Sequence, residues 1–292
     1  MRVFVTGATG FIGSKVIEEL KQAGHQVLGL ARSDAGAKAL QAAGVQVHRG
    51  DVEDLDSLRS GAAEAEAVIH TAFNHDFSKY VANCEADRHA IEALSNALAG
   101  SERPLIITSG TGSSGTPTRP VTENDPPPPS SVHPRGASEE AAQASLARGV
   151  RTLVVRLPQV HDPDKQGLIT YLVSVAREKG VSAYVGEGQN RWAAVHRLAA
   201  AQLYRLVLEK GSSGGRYNAV AEEGVPLKDI AEAIGKRLKV PVAAKSAAEA
   251  PAHFGWMAGF IGMDLFASSA QTQKQLGWRP TGPGLIEDIV AG

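Results

Sequence analysis

The densest chemical signal in the chain is a set of three glycines at fixed spacing, Thr6-Gly7-Ala8-Thr9-Gly10-Phe11-Ile12-Gly13. It directly follows a short apolar run at 2–6 and opens an amphipathic one. In such a turn the first glycine permits the tight reversal of the chain. The second lets the backbone approach a pyrophosphate, and the third lets the following helix pack closely on the strand. The N-terminus of that helix presents free N–H groups and partial positive charge, both suited to phosphate. Strand, loop and helix in this order point to dinucleotide binding, with Gly7, Thr9, Gly10, Phe11, Ile12 and Gly13 as contacts.

The next positions continue that geometry. A second strand ends Leu28-Gly29-Leu30-Ala31-Arg32-Ser33. An NAD-selective site places Asp or Glu there to accept from the ribose 2′-hydroxyl, whereas Arg suits a 2′-phosphate. Arg32, with Ser33 beside it as a second phosphate donor, therefore favours NADP, with NAD as the alternative. Asp34 falls one step too late and is read as a helix cap. Gly50-Asp51-Val52 closes a third strand, where the Asp51 carboxylate suits the adenine amino group and Val52 lies beside the ring; a helix cap is the competing reading of Asp51. In His70-Thr71-Ala72, at the end of a fourth strand, the small residues Thr71 and Ala72 let the backbone pass close to the adenosine ribose.

The elements that must hold these positions alternate. Runs rich in Val, Ile and Leu at 2–6, 25–31, 45–49, 67–71 and 105–109 read as buried strands. Amphipathic stretches at 11–23, 34–43, 55–63 and 79–99 read as helices between them. This predicts an α/β fold: a doubly wound parallel (Rossmann) sheet with right-handed crossovers. Residues 110–135 then form a long loop rich in Gly, Ser, Thr and Pro, of a length usually tied to function or disorder. A helix at 136–148, a strand at 150–157, helices at 165–179 and 191–210 and a strand at 215–221 follow. From 227 onward helices at 228–238, 253–260 and 268–276 dominate. The expected division is a dinucleotide-binding domain at 1–160, with core strands also from 182–221, and a small, mostly helical substrate cap over most of 161–292.

Composition narrows the setting. The 292 residues include 30 Lys+Arg against 31 Asp+Glu and a single cysteine, Cys84. Near-neutral charge gives no electrostatic reason for nucleic acid or an anionic membrane. No apolar run approaches the roughly 18 residues of a spanning helix, and the glycine motif begins too early to leave room for a signal peptide. One cysteine suits a reducing compartment, so a cytoplasmic protein is expected. The nine histidines include no pair at ligand spacing with a carboxylate, and no metal site is expected. Cys84 reads as a small core residue.

Together these residues resemble the short-chain dehydrogenase/reductase superfamily, in its extended and atypical, NAD-dependent epimerase/dehydratase-like branch. Later landmarks agree with that branch: Arg156-Leu157-Pro158, Val195-His196-Arg197 and the terminal Leu276-Gly277-Trp278-Arg279-Pro280. The resemblance implies a catalytic tyrosine with a lysine four residues later, and a serine or threonine that polarises the substrate. The need is physical, because an alkoxide must be protonated and a phenol near pKa 10 is too weak an acid without a nearby cation. This chain lacks the pair. Four residues beyond Tyr80, Tyr171, Tyr184, Tyr204 and Tyr217 stand Cys84, Val175, Gly188, Leu208 and Ala221. The family's Tyr-Gly-x-Ser-Lys reads here Arg135-Gly136-Ala137-Ser138-Glu139.

The candidates that remain are Ser109, with Thr111 behind it, as hydrogen-bond donor; Arg135 as electrostatic clamp; and His133 or His75 as proton donor. Each is equally open to a reading as a loop or capping residue. His161 and Asp162 suit either the substrate cleft or a turn, and Trp192 and His196 suit the junction of sheet and cap. The expected activity is NAD(P)H-dependent oxidation or reduction of a small organic carbonyl, alcohol or activated double bond. The alternatives are a non-catalytic NAD(P)-binding redox sensor and a nucleotide-sugar epimerase or dehydratase. The partner expected is a small molecule, and the resemblance implies a homodimer through helices 79–99 and 136–148.

Overall fold

The computed structural model describes residues 1–112 and 118–292; of the loop expected at 110–135, residues 113–117 lie outside the described set. The first half alternates as its pattern requires: β1 (Arg2–Thr6), α1 (Gly13–Gln22), β2 (Gln26–Ala31), α2 (Asp34–Ala42), β3 (Gln46–Arg49), α3 (Leu55–Ala63), β4 (Ala67–His70), α4 (Tyr80–Leu98), β5 (Leu105–Gly110) and α5 (Gly136–Ala147). There follow β6 (Thr152–Leu157), β7 (Gln159–His161), α6 (Ile169–Lys179), β8 (Ser182–Val185), β9 (Arg191–His196), α7 (Arg197–Lys210) and β10 (Arg216–Asn218). The chain ends with β11 (Glu222–Pro226), α8 (Leu227–Leu238), β12 (Val242–Lys245), α9 (Ala250–Phe254), α10 (Ala258–Ile261), α11 (Ala270–Leu276) and α12 (Leu285–Ala291).

Seven parallel strands form the main sheet in the order β10-β6-β5-β4-β1-β2-β3. The strands run outward in both directions from the β1–β4 pair, where Thr6 stands opposite His70. That reversal opens a crevice at the carboxyl ends of the strands, the place where open α/β sheets take ligands. Side chains alternate across β1. Val3 and Val5 join a core under α1 and α7, with Leu20, Leu203, Tyr204 and Trp278. Phe4 faces the other way, into a core with Leu58, Ile91 and Leu94 beneath α3, α4 and α5. A Cβ on Gly61 would lie 2.4 Å from the Phe4 ring, so this glycine lets α3 sit directly on the sheet.

The stretch expected as one helix over 191–210 divides into β9 and α7. Trp192, Ala193, Ala194 and Val195 are all buried, so the run lacks the polar positions of a surface helix. It serves instead as the centre of a three-stranded sheet, parallel to β7 and antiparallel to β11. The helix begins only where the His196 imidazole accepts from the Leu198 N–H. Beyond β6 the chain is less helical than its sequence suggests, because β12 and β8 also pair in a second small sheet. Of the strands between 182 and 221, only β10 joins the main sheet. A third core, including Ile169, Leu172, Trp192, Ile230, Phe254 and Ile289, fills the space under α6, α8, α9 and α12. Among the described residues no helix is long and apolar enough to cross a membrane.

Candidate active site

The glycine loop rises from the end of β1 and is built from contacts that leave no room for side chains. Gly7 has φ +65°, and a Cβ there would lie 2.7 Å from the Ala72 nitrogen. The Gly10 N–H donates to the Gly7 carbonyl at 2.8 Å. A Cβ on Gly13 would meet that same carbonyl at 2.1 Å, closer than real atoms approach. Thr71 donates from its hydroxyl to the Thr6 carbonyl at 2.8 Å, and the Ala72 N–H donates to Thr6 Oγ1 at 3.3 Å. The ends of β1 and β4 are thereby tied together, and α1 begins at Gly13 with its amino end toward the loop. This backbone cradle, which a Cβ would fill, fits a dinucleotide phosphate.

At the adenosine end, Arg32 is 81% exposed, with its Nε 3.6 Å from an Asp51 carboxylate oxygen. Asp51 accepts from the Glu53 N–H, and Val52 is half-buried beside it. The helix caps fall elsewhere than the sequence suggests. Ser33, not Asp34, caps α2 by accepting from the Gly36 N–H, while Asp34 pairs with Arg49 at 2.6 Å. Asp54, not Asp51, caps α3. The Asp51 carboxylate is thus left to Arg32 at the strand edge, and the Ser33 hydroxyl serves its helix.

A buried network occupies the other end of the crevice. Thr6 Oγ1 lies 2.7 Å from His70 Nδ1, and His70 Nε2 lies 3.0 Å from Asp87 Oδ1. The other Asp87 oxygen accepts from Arg135 Nη1 and Ser138 Oγ, both at 2.6 Å. Arg135 also donates to the Thr108 carbonyl at 2.9 Å, and Thr108 Oγ1 shares a 2.6 Å hydrogen bond with the Tyr204 hydroxyl. The guanidinium of Arg135 lies 4.2 Å over the Phe73 ring. Burial alone would push the Asp87 carboxyl up; the Arg135 cation, with the bonds from His70 and Ser138, outweighs it and holds the group well below the carboxylate range. Asp87 was not evident as a site residue, yet it leaves a trace: Tyr80, Cys84, Asp87, Ile91 and Leu94 recur at helical spacing, placing one acid within an apolar stripe.

Above this network lies a cavity of about 140 Å³. Tyr80, Thr111, His133 and Arg135 give it polar groups, and Leu157, Leu168, Ala193, Phe260 and Leu265 give it apolar walls. Ser109 is buried in β5, whereas Gly110, Thr111 and Gly112 line the cavity. The His133 ring stands edge-on to Tyr80 with centroids 6.3 Å apart. Burial, then the Arg135 charge, lowers its pKa, and burial likewise pushes the Tyr80 phenol up. His75 sits outside the cavity, edge-on to Phe73. Desolvation, followed by the charges of Lys165 and Arg135, lowers its pKa as well. Both environments favour the neutral imidazole, which can accept a proton or offer an N–H.

Phe77, between β4 and α4, packs against the cap. It stacks on Trp256 of the cap at 4.7 Å and 9° and meets Tyr171 and Phe260 edge-on. Of the remaining candidates, His161 is fully buried, 2.6 Å from Asp288, and belongs to the packing of α12. Trp192 is buried with its indole N–H on the Met263 carbonyl, and Cys84 is a buried core thiol whose pKa burial raises to about 11. The Asp162 carboxylate pairs with Arg197 at 2.9 Å.

Known proteins share this architecture. The family model described as the NAD dependent epimerase/dehydratase family matches residues 3–220. An uncharacterized protein of Schizosaccharomyces pombe is 47% identical over 295 residues, spanning 100% of this chain and 99% of its own length. A sterol-4-alpha-carboxylate 3-dehydrogenase (decarboxylating) of Dictyostelium discoideum is 28% identical over 239 residues, covering 76% of this chain and 72% of its own. Among solved structures, UDP-glucose 4-epimerase of Thermus thermophilus, in complex with NAD, superposes with a TM-score of 0.77 at 20% identity, covering 100% of this chain and 97% of its own.

Proposed function

The chain belongs to the NAD-dependent epimerase/dehydratase family, and from that premise we propose that it is an NAD(P)H-dependent oxidoreductase acting on a small organic carbonyl, alcohol or activated double bond. The observation that carries this reading is the cavity above β5. At about 140 Å³ it is close to the roughly 150 Å³ that holds a benzene-sized molecule, and its few polar groups converge from β5, α4 and the start of α5.

Gly7, Gly10 and Gly13 would hold the dinucleotide phosphates, with Thr9, Phe11 and Ile12 between them. Asp51, Val52, Thr71 and Ala72 would frame the adenosine. Arg32 favours NADP over NAD, because its exposed guanidinium can accept a 2′-phosphate and the position carries no carboxylate for a ribose hydroxyl. When bound, the nicotinamide supplies a hydride donor or acceptor. The chain's own contribution is electrostatic. Arg135, kept ionised by Asp87, presents positive potential where negative charge grows on a substrate oxygen. Thr111 donates a hydrogen bond to that oxygen and His133 exchanges the proton, both from the cavity lining, with Ser109 behind in β5 and His75 outside the cavity.

Oxidation of NADPH and NADH, followed at 340 nm against a panel of small aldehydes, ketones and enones, tests the reading. Arg135→Ala is expected to lower turnover by about 1–3 orders of magnitude; unchanged turnover removes Arg135 from the mechanism. One observation favours a second reading, a redox sensor: Arg135 and Asp87 neutralise each other inside the fold. NADPH binding without turnover on any of the panel would support that alternative.

A further inference from the structure

Lys165 stands where the sequence marked only a turn. It follows β7, is exposed, and holds its ammonium 5.6 Å from the centre of the Phe11 ring, within the glycine loop. Its charge is also felt at His75, beyond the end of β4. The ends of β1 and β4 are the two banks of the crevice. Lys165 therefore stands beside the glycine loop, within electrostatic reach of both banks.

Its position is built rather than incidental. One Asp162 carboxylate oxygen accepts the backbone N–H groups of Asp164 and Lys165, each at 3.0 Å. The Asp162 N–H donates to the Lys165 carbonyl at 2.9 Å, and buried Gln166 donates to the carbonyls of Asp162 and Pro163. The second Asp162 oxygen accepts from Arg197. Arg197 in turn donates to the Phe11 carbonyl and, at 2.8 Å, to Ser14 Oγ, with its guanidinium 4.2 Å over the same Phe11 ring. The turn that carries Lys165 is thus fastened through Asp162 and Arg197 to the loop that would bind the phosphates. Asp162 is already engaged with Arg197, and among the described residues no carboxylate pairs with Lys165.

We infer that Lys165 closes the dinucleotide site from above as a cation on the pyrophosphate, and that Asp162 and Arg197 are the positioning residues that hold it there. This rests on the dinucleotide reading and adds to it a contact from outside the glycine motif. Lys165 contributes a screened, exposed charge, so its effect is a matter of affinity and salt dependence.

The test uses binding to the full-length chain. ADP-ribose, which carries the pyrophosphate, and adenosine, which carries no phosphate, are titrated by calorimetry at low and high salt. Lys165→Gln is expected to weaken ADP-ribose about tenfold, to flatten its salt dependence, and to leave adenosine unchanged; Lys165→Arg retains the affinity. Asp162→Asn is expected to weaken ADP-ribose in the wild-type background and far less in the Lys165→Gln background. Undiminished ADP-ribose affinity in Lys165→Gln, or equal loss for adenosine, overturns the assignment. Equal effects of Asp162→Asn in both backgrounds overturn the positioning role. If the wild-type chain binds no ADP-ribose, the dinucleotide reading itself falls and the clamp falls with it, an outcome distinct from the others.

Discussion

The two ends of the crevice solve opposite problems on the same sheet edge. At the β1–α1 turn the chain keeps space open: Gly7, Gly10 and Gly13 hold backbone against backbone, and Arg32 projects from the next strand into solvent. At the β5–α5 end it fills space, with Asp87, Arg135, Ser138, His70 and Thr108 bonded into one buried cluster. The first end needs only a short stretch of backbone to be right. The second needs side chains from four elements to arrive together, and it meets the cradle at Thr6 Oγ1, 2.7 Å from His70 Nδ1.

The contrast is sharpest at Asp87. Asp87→Ala leaves Arg135 inside the fold without its counter-ion, and is expected to cost about 3–5 kcal/mol in denaturant unfolding. The double replacement Asp87→Leu with Arg135→Met should recover most of that loss; if it does not, the cluster stabilises by more than charge pairing. At the open end, Gly13→Ala forces a methyl onto the Gly7 carbonyl. Overpacking of this kind costs about 1–3 kcal/mol, and calorimetry should show the variant without measurable NADPH binding. Retained binding would mean that the loop yields more than its contacts suggest.

Smaller effects separate the ends further. Arg32→Ala is expected to weaken NADPH about tenfold and to leave NADH nearly unchanged, a difference read directly from the two dissociation constants. The smallest effect lies away from both ends. Burial, though opposed by Asp288, lowers the pKa of His161 below its ordinary 6.5. The unfolded chain then takes up a proton below pH 6.5 that the folded chain refuses, so stability is lost as the pH falls from that value toward the folded pKa. Melting curves from about pH 7.5 to about pH 5 should show stability falling with the pH, and His161→Gln should flatten the slope. His75 and His133 act in the same direction.

The same contrast explains what could be read from the residues alone. The main-sheet strands β1 to β6 and the glycine loop are local: apolar runs bounded by turns, and a motif contiguous in sequence. The placement of Arg32 and Asp51 just past the ends of β2 and β3 was legible, because there position in the fold follows from position in the chain. Asp87 was not, because its role comes from the packing of α4 on α5, 48 residues apart at the Arg135 contact. The strand β9 was hidden for a related reason. Its run of Trp and Ala carries no alternation, and only its neighbours β7 and β11 make it extended. Lys165 was hidden because nothing in the turn itself indicates that Phe11 lies beneath it.

The Phe77–Trp256 stack has a practical consequence. Of the three tryptophans, Trp192 and Trp278 are sealed in the interior, while Trp256 is 44% exposed. It sits where the cap meets the sheet edge, with its plane within 9° of the phenylalanine. Indole emission depends on contact with water, so the one lamp that faces outward hangs at the seam between Phe77 and the cap. Anything that parts this stack will alter its light, and a fluorimeter can time that parting without a label.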